Sequence, residues 1–229
     1  MTSHSLETQR SAVIFDMDGV LSDTQSLHAS VEADLFAERG ITITPQEITA
    51  QYAGVADADF FRAVLGSDLD DRTLDALIRE KWRRMMARSA DRIDPIDGAV
   101  ELVRGLAGHG TPLAVASSSP LFFIDHVLDA LAIAGCFGVR ASSEEVPHGK
   151  PAPDVFLLAA RRLHVEPLRC TVIEDAMAGI QAAARAGMRC IALVADPSQP
   201  VPADVRVSTL RQLLDQLGLL WSPRGDGAS

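Results

Sequence analysis

Short apolar runs punctuate the chain at 11–15 (Ser-Ala-Val-Ile-Phe), 113–116, 139–141, 171–173 and 190–194. Brief, nearly continuous apolar runs predict strands buried on both faces. Between them apolar positions recur at helical spacing, predicting helices over 97–108, 120–133, 153–164 and 176–186. Strands alternating with helices predict an α/β fold, a doubly wound parallel sheet covered on both faces. The rhythm breaks once. From Asp23 to Ile96 no buried strand is expected, and helices are predicted at 25–39 (Leu27, Val31 and Leu35 at every fourth position), roughly 57–65, and 71–88. The expectation is a Rossmann-like core made of 11–23 and 96–222, carrying an inserted α-helical cap over 24–95. Pro95 and Gly98 mark the returning hinge. Residues 1–10 and 223–229 read as tails.

Sheets of this kind bind ligands beyond the carboxyl ends of their strands. After the first run comes Asp16-Met17-Asp18-Gly19, and after the second Ser117-Ser118-Ser119. Gly149-Lys150-Pro151 follows the third and a loop, and Glu174-Asp175 follows the fourth. Acids, hydroxyls and one lysine are thus expected on a single rim. The lysine is conspicuous, because Lys81 and Lys150 are the only lysines among 21 basic residues. A site that wants a compact point charge rather than a planar fork uses lysine.

Charge and cysteine content narrow the partners. The net charge is −10, whereas a nucleic-acid reader needs a basic excess to meet phosphates. Cys136, Cys170 and Cys190 are widely separated, an odd count that suits a reduced cytoplasmic protein. No apolar run reaches membrane-spanning length. The expected partner is a small phosphorylated metabolite, with no nucleic acid and no membrane, and a monomer is the default.

The motifs Asp16-Met-Asp18-Gly19-Val-Leu-Ser-Asp23, Ser117, Gly149-Lys150-Pro-Ala-Pro-Asp154 and Glu174-Asp175-Ala-Met-Ala-Gly179 occur in this order. Together they resemble the haloacid-dehalogenase-like superfamily, in its β-phosphoglucomutase-like and sugar-phosphatase group with a helical cap. The resemblance implies a Mg²⁺-dependent phosphatase working through an aspartyl-phosphate. Asp16 would be the nucleophile and Asp18 the acid and base at the ester oxygen and water. Ser117 would hold the phosphoryl group, with Lys150 neutralising the crowded charge. Asp16, Glu174, Asp175 and the backbone carbonyl of Asp18 would form a hard oxygen site for Mg²⁺. Gly19 and Ser118 would touch the phosphate, and His28, near the hinge, the substrate. Asp23 is expected to hold the hinge loop, Asp154 to cap its helix, and Ser119 either to help bind or to cap. For Asp175 a helix-capping role is the alternative.

The cap carries a basic run, Arg79 to Arg92, whose face is expected to be solvated, with one or two residues at most within reach of an anion. The mutases have Gly-Val-Ser-Arg in a cap loop, where the arginine grips the distal phosphate of a bisphosphate. Here the stretch is Gly54-Val55-Ala56-Asp57. That favours a phosphatase over the alternative, a β-phosphoglucomutase-like phosphomutase, with Arg62 a possible substitute cation. Dehalogenase and phosphonatase chemistry are disfavoured by Asp18, and a non-catalytic phosphate-binding role by the retention of Asp16, Asp18, Lys150 and Asp175.

Overall fold

The computed structural model describes residues 11–198 and 200–215. Six strands form one sheet: β1 Ala12–Phe15, β2 Leu113–Ser117, β3 Val139–Ser142, β4 Cys170–Glu174, β5 Arg189–Leu193 and β6 Val205–Val207. Their spatial order is β3-β2-β1-β4-β5-β6 and every pairing is parallel. β1 therefore lies at the point where the winding reverses, with Phe15 opposite Val115 on one side and Ile173 on the other. Side chains alternate across a strand. Val13 and Phe15 join one apolar layer, and Ala12 and Ile14 the opposite one. The first layer is closed by α5 (Ala99–Gly108) and α6 (Leu121–Ala130), the second by α7 (Asp154–Leu163) and α8 (Met177–Arg185).

Four helices occupy the stretch between β1 and α5: α1 Gln25–Ala37, α2 Pro45–Tyr52, α3 Asp57–Leu65 and α4 Asp71–Ser89. Their inward side chains, among them Val31, Phe36, Phe60 and Phe61, belong to the same apolar cluster as the α5–α6 side of the sheet. The insertion's two connections run side by side. The Asp23 N–H donates to Asp94 O at 2.8 Å, and the Ile96 N–H to Leu21 O at 3.1 Å. The hinge loop is held by Ser22 and Thr24, whose hydroxyls lie 2.8 Å apart and are both buried. The Asp23 side chain, expected to do this, is exposed.

Three elements were not expected. α2 is polar, with Ile48 its one buried residue, so its periodicity is weak. Its signal was a capping box: Thr44 accepts from the Glu47 N–H, and the Glu47 side chain accepts from the Thr44 N–H. β6 has three residues on an edge and an exposed Arg206 at its centre. The third is α9, Arg211–Asp215. Residues 216–222 of the expected core and both expected tails lie outside the described residues.

Candidate active site

The rim is built by strand ends. The Asp16 N–H donates to Ile173 O at 3.0 Å, so Asp16 is pinned one residue beyond β1. Glu174 ends β4 with Asp175 next to it, and Ser117 ends β2. Lys150 comes from the loop beyond β3 and is completely buried. Its Nζ donates to Asp16 Oδ1 and, at 2.8 Å, to Glu174 Oε1, and it lies 4.9 Å from the centre of the Phe156 ring. Burial works against this ammonium, but the two carboxylates hold its pKa above the ordinary lysine value.

Asp16, Glu174 and Asp175 each bring one carboxylate oxygen within 4.8 Å of the others. Burial pushes the carboxyls of Asp16 and Asp175 upward, and neighbouring carboxylates add to the shift. Three carboxylates and one ammonium leave two negative charges uncompensated. Asp175 Oδ1 is moreover buried without a hydrogen-bond partner. A hard divalent cation such as Mg²⁺ fits both the charge and the orphaned oxygen. Both Glu174 oxygens already hold protein donors, Lys150 and, at 2.6 Å, the Ala176 N–H. The capping role considered for Asp175 is not found: α8 has Ala176 at its cap and no side-chain cap bond. Two glycines let the acids approach. Gly19 has φ +93°, and a Cβ there would strike Asp175; a Cβ on Gly179 would overlap Glu174.

Asp18, two residues beyond Asp16, is surrounded by donors. Thr24 and Ser119 hydroxyls donate to it, the latter at 2.8 Å; Ser117 Oγ is 3.3 Å away and His28 Nε2 3.2 Å. Burial opposes ionisation, yet the adjacent His28 ring and the bonds from Thr24 and Ser119 hold the Asp18 carboxyl well below the usual range. Thr24 and Ser119 thus join the site beyond the expected set. Ser119 does not cap α6, whose cap position is Pro120. Nor does Asp154 cap α7, where Pro153 takes that position without a side-chain bond. His28 is buried, with edge-on contacts to Trp82 and Phe123, so it addresses Asp18 rather than open solvent.

Two expected phosphate contacts have other partners. The Gly19 N–H donates to Ser22 O at 2.8 Å, so Gly19 shapes the turn and its amide is spent inside the loop. Ser118 Oγ donates to Gly54 O at 2.7 Å, tying the rim to the insertion.

A small cavity of about 40 Å³ opens between the rim and the insertion. Asp16, Asp18 and Ser117 line its floor; Ile48, Tyr52, Phe60 and Trp82 line the insertion side. The basic run takes its expected form, a largely solvated face from which a single cation, Lys81, reaches the cavity. Arg83 and Arg84 pair with Glu80, Arg84 also with Glu38, Arg88 with Asp34 and Arg92 with Asp94. Arg62 is engaged by Asp71. The run's one lysine, Lys81, is buried and lines the cavity between Glu32 and Asp57.

A carboxylate at a central strand end, a lysine bridging it to a second acid, and a further acid two residues along are residue types that can supply a nucleophile, a fixed positive charge and a proton donor. The model of the haloacid dehalogenase-like hydrolase family matches residues 11–187, and the chain belongs to that family. It is a hydrolase of phosphoric monoesters within it. The fructose-1-phosphate phosphatase YqaB of Escherichia coli is 33% identical over 179 residues, covering 78% of this chain and 94% of that protein. The chloroplastic protein SUPPRESSOR OF QUENCHING 1 of Arabidopsis thaliana is 34% identical over 214 residues; the match spans 91% of this chain but only 20% of that longer protein. Among solved structures, β-phosphoglucomutase (pgmB) from Clostridium difficile superposes with a TM-score of 0.84 at 25% identity, over 92% of this chain and 96% of that one. No helix among the described residues is long and apolar enough to cross a membrane.

Proposed function

We propose that the protein is a Mg²⁺-dependent phosphatase that hydrolyses a small phosphorylated sugar through an aspartyl-phosphate on Asp16. The observation that carries this reading is Lys150, fully buried and bridging Asp16 to Glu174 beside the orphaned oxygen of Asp175. Asp16 and Asp175 would hold the ion with the Asp18 carbonyl, and Glu174 would stand behind them. Bound Mg²⁺ supplies positive charge at the phosphoryl oxygens.

The residues divide the chemistry. An Asp16 carboxylate oxygen attacks phosphorus in line while the ester P–O bond breaks, and Asp18 delivers a proton to the departing oxygen. Water then attacks the phosphorus of phospho-Asp16. Asp18 takes the water proton, the P–O bond to Asp16 breaks, and inorganic phosphate leaves. Thr24, His28 and Ser119 hold Asp18 in place for both transfers. An incoming phosphate dianion raises the pKa of Asp18, since like charge favours its protonated form. Ser117 donates to the phosphoryl group from the end of β2.

The test is phosphate release from a panel of sugar phosphates and other phosphomonoesters, with Mg²⁺ and with EDTA. Metal-dependent release is expected. No release, but Mg²⁺-dependent exchange of glucose 1-phosphate and glucose 6-phosphate, would establish a phosphomutase instead. The likeness to pgmB makes that arm necessary, and the acid at position 57 weighs against it.

A further inference from the structure

We propose that Glu32, Asp57 and Lys81 form a leaving-group subsite that reads the hydroxyls of a singly phosphorylated polyol and rejects a second phosphate. This rests on the phosphatase reading and specifies its substrate class.

The three side chains come from different helices of the insertion: α1, the first residue of α3, and α4. Lys81 Nζ donates to Asp57 Oδ1 and lies 2.6 Å from Glu32 Oε1, and Trp82 Nε1 donates to Asp57 Oδ2 at 2.7 Å. The lysine and both carboxylates are almost entirely withdrawn from solvent, and all three line the cavity that Asp16 and Asp18 floor. Burying three charges to brace helices is expensive, and a well-packed apolar cluster would do the bracing as well. Their placement on a ligand cavity gives them a different use.

Their formal charge is one negative. Among the described residues that line the cavity there is no arginine, and the one lysine, Lys81, is already shared by two acids. A distal phosphate would bring two negative charges against two buried carboxylates, with no unengaged lysine or arginine among the described lining residues to meet it. Hydroxyl groups are the complementary ligand. Each carboxylate oxygen has more than one acceptor direction, so those holding Lys81 and Trp82 retain capacity for an O–H donor. Buried acceptors of this kind discriminate strongly against a ligand that lacks the matching donor. The adjoining Trp82, Phe60 and Ile48 surfaces suit the C–H faces of a carbon chain.

The experiment compares kcat/KM with Mg²⁺ for three substrates: a hexitol or hexose monophosphate, the corresponding 1,6-bisphosphate, and phenyl phosphate, which has no hydroxyls. The wild-type protein is expected to prefer the monophosphate to the bisphosphate by about tenfold or more. In Asp57→Asn and Glu32→Gln that preference shrinks several-fold, and the loss on the monophosphate exceeds the loss on phenyl phosphate. Asp57→Arg moves the preference toward the bisphosphate. A wild-type protein that turns over the bisphosphate as well as the monophosphate overturns the inference, and that measurement needs no variant to fold. Folded variants that lose equally on all three substrates overturn it too. Turnover of phenyl phosphate alone leaves the phosphatase reading standing and removes the subsite. Absence of turnover on every substrate removes both.

Discussion

The chain's two lysines occupy matching surroundings: Lys81 lines the cavity, and Lys150 is buried behind its floor, bonded to Asp16. Lys150 sits between Asp16 and Glu174 on the core rim; Lys81 sits between Glu32 and Asp57 within the insertion. Each is buried, and each is held above the ordinary lysine pKa by two carboxylates working against burial. What differs is the third neighbour. Beside Lys150 it is Asp175, another acid with an unpartnered oxygen; beside Lys81 it is Trp82, a neutral donor that completes Asp57. One more carboxylate makes a cation site suited to phosphoryl chemistry. One indole makes a nearly closed polar cluster suited to hydroxyls. On the proposed reading, the same buried ion pair serves chemistry or selection according to the single group beside it.

The largest effect should come from the rim. Asp16→Asn is expected to cut turnover by about four orders of magnitude or more while leaving the circular dichroism spectrum unchanged, as loss of a nucleophile does elsewhere. Residual turnover near wild type would remove Asp16 from that role. Next come the lysines themselves. Lys150→Met and Lys81→Met each strand buried carboxylates, and removing one partner of such a pair costs about 3–5 kcal/mol. Urea denaturation should show similar destabilisation in both, whereas turnover of phenyl phosphate should collapse only in Lys150→Met. Equal collapse in both would erase the distinction between the two lysine clusters.

The metal side can be read without turnover. Mg²⁺ at a hundred times its dissociation constant should stabilise the folded protein by about 2.7 kcal/mol, because it binds the native state alone. A calorimetric Tm that rises with Mg²⁺ in wild type and stays fixed in Asp175→Ala is the expected result; equal shifts would place the ion elsewhere. Ser118→Ala removes the bond to Gly54 O and should cost about 1 kcal/mol, with a few-fold rise in KM if the tie between rim and insertion orders the cavity. The smallest effect belongs to Arg88→Ala. Its partner Asp34 is a solvated neighbour on the insertion's outer surface, so KM for a sugar phosphate should not change.

Much of the core was readable from the chain because buried parallel strands leave a short-range signature. The five apolar runs that predict strands are β1 to β5, and the acids and hydroxyls beyond them do share a rim. β6 escaped because an edge strand with Arg206 at its centre has no apolar run to announce it. α2 escaped because a solvated helix shows weak periodicity, although Thr44 and Glu47 advertised its start. Lys81 is the instructive miss. In the sequence it stands inside a run of arginines and reads as one more surface charge. Only the packing of α1, α3 and α4 turns it inward between Glu32 and Asp57, which lie far from it in the chain.

The sequence by itself determined the parallel core and which acids, hydroxyls and lysine stand beyond its strand ends, because each depends on residues close together in the chain or on the order of the strands. Tertiary structure decided which acids surround each lysine, that Thr24 and Ser119 hold Asp18, and that Ser118 joins rim to insertion. Those are pairings across 6 to 134 residues of chain, and a buried charge takes whichever partner the packed helices and strands bring within hydrogen-bond distance.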